Sequence, residues 1–144
     1  MVDESGLTAW GERIGATIGT PAFIGLRGPL GAGKSVLARA IARGAGVTGT
    51  MPSPTFNLVL RYDGRDGRTI LHVDLFRLND PAEVWELGWS ELGAPGEIAL
   101  VEWPERAESL LPPARWDILI EPVADPLLRR VSLELAADAP DLAR

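Results

Sequence analysis

The 144-residue chain contains no cysteine, one histidine and one lysine, and each shortage removes a class of function. Without cysteine there is no disulfide framework and no thiolate metal centre, and a lone His72 cannot build a histidine-ligated zinc site. Magnesium on oxygen ligands is the metal chemistry left open. No apolar run approaches the roughly 20 residues of a membrane span, and the N-terminus carries neither the basic nor the apolar segment of a secretory leader. The expectation is a soluble, cytoplasmic protein. A formal charge of −6 argues against a broad surface for gripping nucleic acid, so any such role is expected to be indirect. The length suits a single domain over residues 1–144, with 136–144 (AADAPDLAR) a frayed tail and no room for a separate substrate domain.

What is present is organised around residues 23–42, FIGLRGPLGAGKSVLARAIA, where an apolar run leads into glycines, then Lys34 and Ser35, then an apolar-periodic segment. This reads as strand, phosphate loop, helix. Gly28, Gly33, Lys34 and Ser35 fill the G-x-x-x-x-G-K-[ST] template. Glycines let successive backbone N–H groups converge on a phosphate, and the following helix adds its unpaired N-terminal amides and positive dipole end. Gly28, Leu30, Gly31, Ala32, Gly33, Lys34, Ser35 and Val36 are therefore the expected nucleotide-binding residues. Lys34 is expected to reach the β- and γ-phosphates and the Ser35 hydroxyl to ligate magnesium.

Composition adds an independent argument, because 13 of the 14 basic residues are arginine and the exception is Lys34. A compact ammonium on a thin stem fits inside a loop wrapped round phosphate, where a planar guanidinium does not.

Leu7, Trp10, Ile14 and Ile18 recur at helical spacing over residues 5–19, and Thr20-Pro21 ends that helix. Ala22 to Leu26 is a continuous apolar strand suited to a sheet covered on both faces. A helix from Lys34 to about Arg43 is closed by Gly44 and Gly46. Residues 47–57, VTGTMPSPTFN, read as a loop whose Thr55 is a candidate switch residue sensing magnesium or the terminal phosphate. Phe56–Asp63 and Thr69–Asp74 form a hairpin about a polar turn at 64–67. Its second strand places Asp74 after ILHV, either a Walker-B-like acid at the ligand edge of a sheet or an ordinary capping aspartate. Asp80-Pro81 opens a helix ending at Gly93–Gly96, and EIALVEW (97–103) is a strand that brings Glu102 to the same kind of edge. Pro104 permits a short helix through Leu111, after which Trp116–Ile120 and Arg130–Leu135 alternate like an antiparallel pair. The sum is an α/β fold of the P-loop NTPase kind, with a mostly parallel central sheet, helices on both faces and antiparallel additions.

Four blocks taken together, GPLGAGKS (28–35), SPTF (53–56, with Tyr62 following), HVDLFRL (72–78) and VEWPER (101–106), resemble the TsaE (YjeE) family. That family comprises small ATPases of bacterial tRNA threonylcarbamoyladenosine synthesis. The resemblance covers residues 22–111. It implies ATP or ADP at the phosphate loop, magnesium held by Ser35 and Glu102, Thr55 in a switch-like loop, and Asp74 as a further acid near the phosphates. Lys34, Asp74 and Thr55 would then carry the chemistry, with Trp103 beside the nucleotide. The implied partners are TsaB and TsaD, with tRNA reached through them. Phe76 stands where the family usually has tyrosine, and the segment around Leu7-Thr8 matches only loosely. A small-molecule kinase using the same loop is the alternative, but the chain has no arginine-rich insertion to serve as a lid. A nucleotide-binding module without turnover is a third reading.

Overall fold

The computed structural model describes residues 1–51, 59–76, 94–112 and 114–136. The first helix, α1 (Glu4–Thr17), starts where the Asp3 side chain accepts the Gly6 amide at 2.7 Å, an N-cap that satisfies one of the unpaired first-turn donors. Its apolar positions Leu7, Trp10 and Ile14 are buried, as is Ile18 at its C-cap. β1 (Ala22–Arg27) follows and is buried along nearly its whole length. After the glycine loop, α2 (Lys34–Gly44) ends one residue later than its spacing predicts, with Gly46 at φ 102 carrying the left-handed turn that stops it.

β2 (Val59–Asp63) and β3 (Thr69–Asp74) form the expected antiparallel hairpin. β4 (Glu97–Glu102), β5 (Arg115–Pro122) and β6 (Arg129–Ala136) complete one sheet in the order β2-β3-β4-β1-β5-β6. The four inner strands are parallel, while β2 and β6 add antiparallel edges. The fold class is that expected from the sequence. β1 lies between β4 and β5, so the carboxyl ends of the parallel strands converge at one edge around the loop that leaves β1.

α1 and α2 cover one face, where Ile24, Leu26, Ile98, Leu100, Trp116, Ile118 and Ile120 meet Leu7, Ile14, Leu37 and Ile41. The two helices cross closely because glycine stands at the contact: a Cβ on Gly15 would collide with the Ile41 carbonyl, and one on Gly44 with that of Glu12. Arg65, in a 3₁₀ turn between β2 and β3, donates to the carbonyls of Gly44, Gly15 and Ala16, satisfying the C-terminal ends of both helices. A smaller apolar cluster of Phe23, Leu71, Val73, Leu75, Ala99, Val101 and Ala107 covers the opposite face.

The short helix expected after Pro104 is present as 3₁₀ turns over Pro104–Leu110, broken at Ala107 (φ −125°, ψ 33°). Ala107 is fully buried against the second cluster, and the break turns it inward. The loop containing Thr55, the helix expected from Asp80-Pro81 and the tail beyond Ala136 lie outside the described residues.

Candidate functional site

The loop between β1 and α2 turns on glycines. Gly28 has φ 145° and backs onto the Ile120 carbonyl, where a Cβ would collide. Gly33, the N-cap of α2, has φ 114°, and an added Cβ would lie 2.7 Å from a guanidinium nitrogen of Arg129. Both positions combine a left-handed backbone with a close neighbour, so a side chain is refused twice. Ala32 donates to the Pro29 carbonyl at 3.2 Å across the bend, Ala32 is buried and Leu30 points outward. The first-turn amides of α2, including those of Ser35 and Val36, have no intrahelical acceptor and face the loop end of the helix.

Lys34 begins α2 yet is only 5% exposed. Its ammonium donates to the Gly28 carbonyl and to the Pro29 carbonyl, the latter at 2.9 Å, and lies 4.0 Å from the ring centroid of Trp103. Burial lowers its pKa from the ordinary lysine value, opposed by the carboxylates of Glu102, Glu105 and Asp74. Trp103 adopts φ 59°, an uncommon backbone for a bulky aromatic residue, and its backbone N–H donates to the Leu26 carbonyl at 3.2 Å. That bond ties the end of β4 to the end of β1 and sets the indole over the lysine. Phe76 packs tilted against Trp103 at 5.0 Å between ring centroids, and Arg106 lies 5.8 Å from the Phe76 ring.

Ser35 donates to both oxygens of Glu102, at 3.0 and 2.9 Å. Glu102 is 3% exposed and also accepts from His72 Nε2 at 2.6 Å. Asp74 is the in-register neighbour of Glu102 across β3 and β4, so the two acids stand side by side at the sheet edge. Burial raises the Asp74 carboxyl above the usual aspartate range and Glu102 pushes the same way, while the Phe76 N–H, which Asp74 accepts at 2.9 Å, opposes the rise, as do His72 and Lys34.

The pair Ser35 and Glu102 suits a hard divalent cation. Two neighbouring oxygens on an octahedral magnesium with bonds of about 2.1 Å lie about 3.0 Å apart, which is the spacing present here. Among the described residues no group of three or more His, Asp or Glu side chains could enclose a metal alone. Such a cation would take its remaining ligands from phosphate and water, as magnesium commonly does.

Sequence reasoning singled out Gly28, Leu30, Gly31, Ala32, Gly33, Lys34, Ser35, Val36, Asp74, Glu102 and Trp103, and the structure brings all of them to one edge. Thr55 falls outside the described residues. Two neighbours were not assigned to the site from the sequence, where His72 reads as a packed or hydrogen-bonded histidine rather than a catalytic one. His72 carries no spacing signal linking it to Glu102, and Arg129 reaches the loop only because β6 folds back beside β5.

The raised pKa of Asp74 gives a stability prediction. Its folded pKa lies above the unfolded value, so the folded form holds its proton more tightly and stability falls as pH rises from the unfolded to the folded pKa. Asp74→Asn keeps an oxygen for the Phe76 amide while removing the disfavoured charge. Thermal melts are expected to show a higher Tm than wild type at pH 8, with the gap closing near pH 3.

Residues 1–130 match the family described as "Threonylcarbamoyl adenosine biosynthesis protein TsaE". The chain is 42% identical over 95 residues to a "tRNA threonylcarbamoyladenosine biosynthesis protein TsaE" of Haemophilus influenzae, covering 66% of this chain and 58% of that protein. Proteins of the same description from Synechocystis and Treponema pallidum are 38% and 32% identical, covering 76% and 81% of this chain and 71% and 84% of their own lengths. The crystal structure of Bacillus subtilis YdiB shares the fold, with TM-score 0.73, 24% identity and coverage of 96% of this chain and 84% of that one.

Proposed function

The chain belongs to the TsaE family, whose role lies in tRNA threonylcarbamoyladenosine biosynthesis, and from that membership we propose that it is a magnesium-dependent ATPase that turns over usefully only with partner proteins. The observation carrying this reading is the contact of Ser35 with both oxygens of Glu102, beside a buried Lys34 held in the glycine loop. The loop amides and Lys34 would bind the β- and γ-phosphates. Ser35 and Glu102 would hold magnesium, which when bound supplies charge neutralisation of the phosphates. Asp74, one strand away, is suited to orient water. Trp103 would wall the site beside the lysine, and Thr55 is proposed to sense the terminal phosphate.

These groups stabilise a bound nucleotide more than a transition state, and slow intrinsic hydrolysis follows. The large apolar side chains exposed among the described residues, Met1, Leu30, Phe76 and Leu127, all belong to segments at the edge that carries the phosphate loop. Exposed apolar side chains at the edge of a nucleotide site support docking of another protein over it. The proposed partners are TsaB and TsaD, with tRNA engaged through them, which agrees with the acidic charge of −6. One functional domain and action in the cytoplasm complete the proposal; among the described residues no helix is long and apolar enough to cross a membrane.

Phosphate release measured for the protein alone, with the TsaB–TsaD complex, and with Lys34→Ala as control tests the reading. Slow release alone, rising at least about tenfold with the complex and abolished by the substitution, is expected. Many turnovers per second without partners, and no increase with them, would remove the partner-dependent reading in favour of a free-standing ATPase or kinase.

A further inference from the structure

His72 occupies a position that the nucleotide chemistry above leaves unused. It lies on β3 facing α2, is 2% exposed, and its Nε2 sits 2.6 Å from Glu102 Oε2. A carboxylate only accepts hydrogen bonds, so Nε2 carries the hydrogen and donates. Among the described residues Ser35 meets Glu102 Oε1, and Oε2 is shared between Ser35 and His72. A glutamate has three side-chain torsions and, at the end of a strand, several ways to aim its carboxylate. Contacts from two directions, one from α2 and one from β3, leave it one. The backbone that carries the imidazole is itself fixed, since β3 is paired on both sides, in register with Leu60 of β2 and Leu100 of β4 at this residue.

From this geometry we infer that His72 is a positioning residue: its Nε2–H holds the Glu102 carboxylate turned toward Ser35, so that the two side chains present a ready-made pair of oxygens to a divalent cation. The inference rests on the nucleotide–magnesium reading of the site. Removing such an outer hydrogen bond typically costs 10- to 100-fold in metal affinity, because the ligand must then be ordered when the metal arrives. The nucleotide contacts made by the loop amides and Lys34 do not involve His72 and are unaffected. A histidine serving only to fill space would weaken binding with and without metal alike.

The test is calorimetric titration of the full-length protein with ADP, in excess EDTA and again in magnesium chloride. For His72→Leu, affinity in EDTA is expected to equal that of wild type while the gain from magnesium shrinks about tenfold. His72→Gln, whose amide nitrogen reaches a similar point, restores most of that gain, whereas the shorter His72→Asn does not. The Gln and Asn pair carries the test by itself if the leucine variant fails to fold. A magnesium gain equal to wild type in His72→Leu, or equal in the Gln and Asn variants, overturns the assignment alone. Wild-type affinity that ignores magnesium overturns both the assignment and the metal reading on which it rests.

Discussion

Replacing Lys34 by alanine is expected to lower ATP affinity by a factor of about 100 to 10,000, as measured by calorimetry, without lowering the melting temperature. The binding loss follows from removing a charge-assisted hydrogen bond to each of two phosphates, at roughly 1.5–3 kcal/mol apiece. Stability is spared because burial already disfavours the charged lysine in the folded protein, so the alanine variant relieves that penalty as it gives up the bonds to Gly28 and Pro29. Lys34→Arg is the sharper test. The ammonium sits in a slot bounded by two loop carbonyls and, at 4.0 Å, the Trp103 ring, and a guanidinium cannot enter without displacing one of them. The arginine variant is therefore expected to bind no better than alanine. Near-normal binding by Lys34→Arg would show that charge alone matters, and the significance attached to the chain's single lysine would go with it.

The second large effect separates the two neighbouring acids. Glu102→Gln keeps the shape but halves the carboxylate's acceptors and removes its charge, and the amide nitrogen would face either the Ser35 hydroxyl or His72. ADP affinity in magnesium is expected to fall about 10- to 100-fold while affinity in EDTA holds. Asp74→Asn leaves the Ser35–Glu102 pair untouched. It should leave binding within about threefold of wild type and cut partner-stimulated turnover at least about 100-fold, the scale of losing a group that orients or deprotonates water. Single-turnover phosphate release and calorimetry on both variants decide the matter. If Asp74→Asn loses the magnesium gain and Glu102→Gln loses turnover, their roles are the reverse of those assigned here.

The two acids also show where sequence reading stops. Both end apolar strand runs, ILHVD and ALVE, and along the chain they are equivalent candidates for a metal ligand. Only the placement of α2 over β4 brings Ser35 against Glu102, leaving Asp74 one strand further out with its oxygen turned to the Phe76 amide. The phosphate loop needed no such help. Its glycines, lysine and serine lie within eight consecutive residues, and the local backbone alone dictates what they can do.

The first two helices, the inner strands and both hairpins were likewise legible, because burial on one face imposes a period of 3.6 or 2 on the sequence itself. After Pro104 the short helix was legible but its break was not, since Ala107 is turned into the second core by packing and not by propensity. The order of the strands, the meeting of His72 with Glu102 thirty positions apart, and the approach of Arg129 to Gly33 came from tertiary structure. Local pattern determines what a segment becomes. Which segments meet is decided by the shared burial of their apolar faces, a property of the whole sheet that no window of the sequence contains.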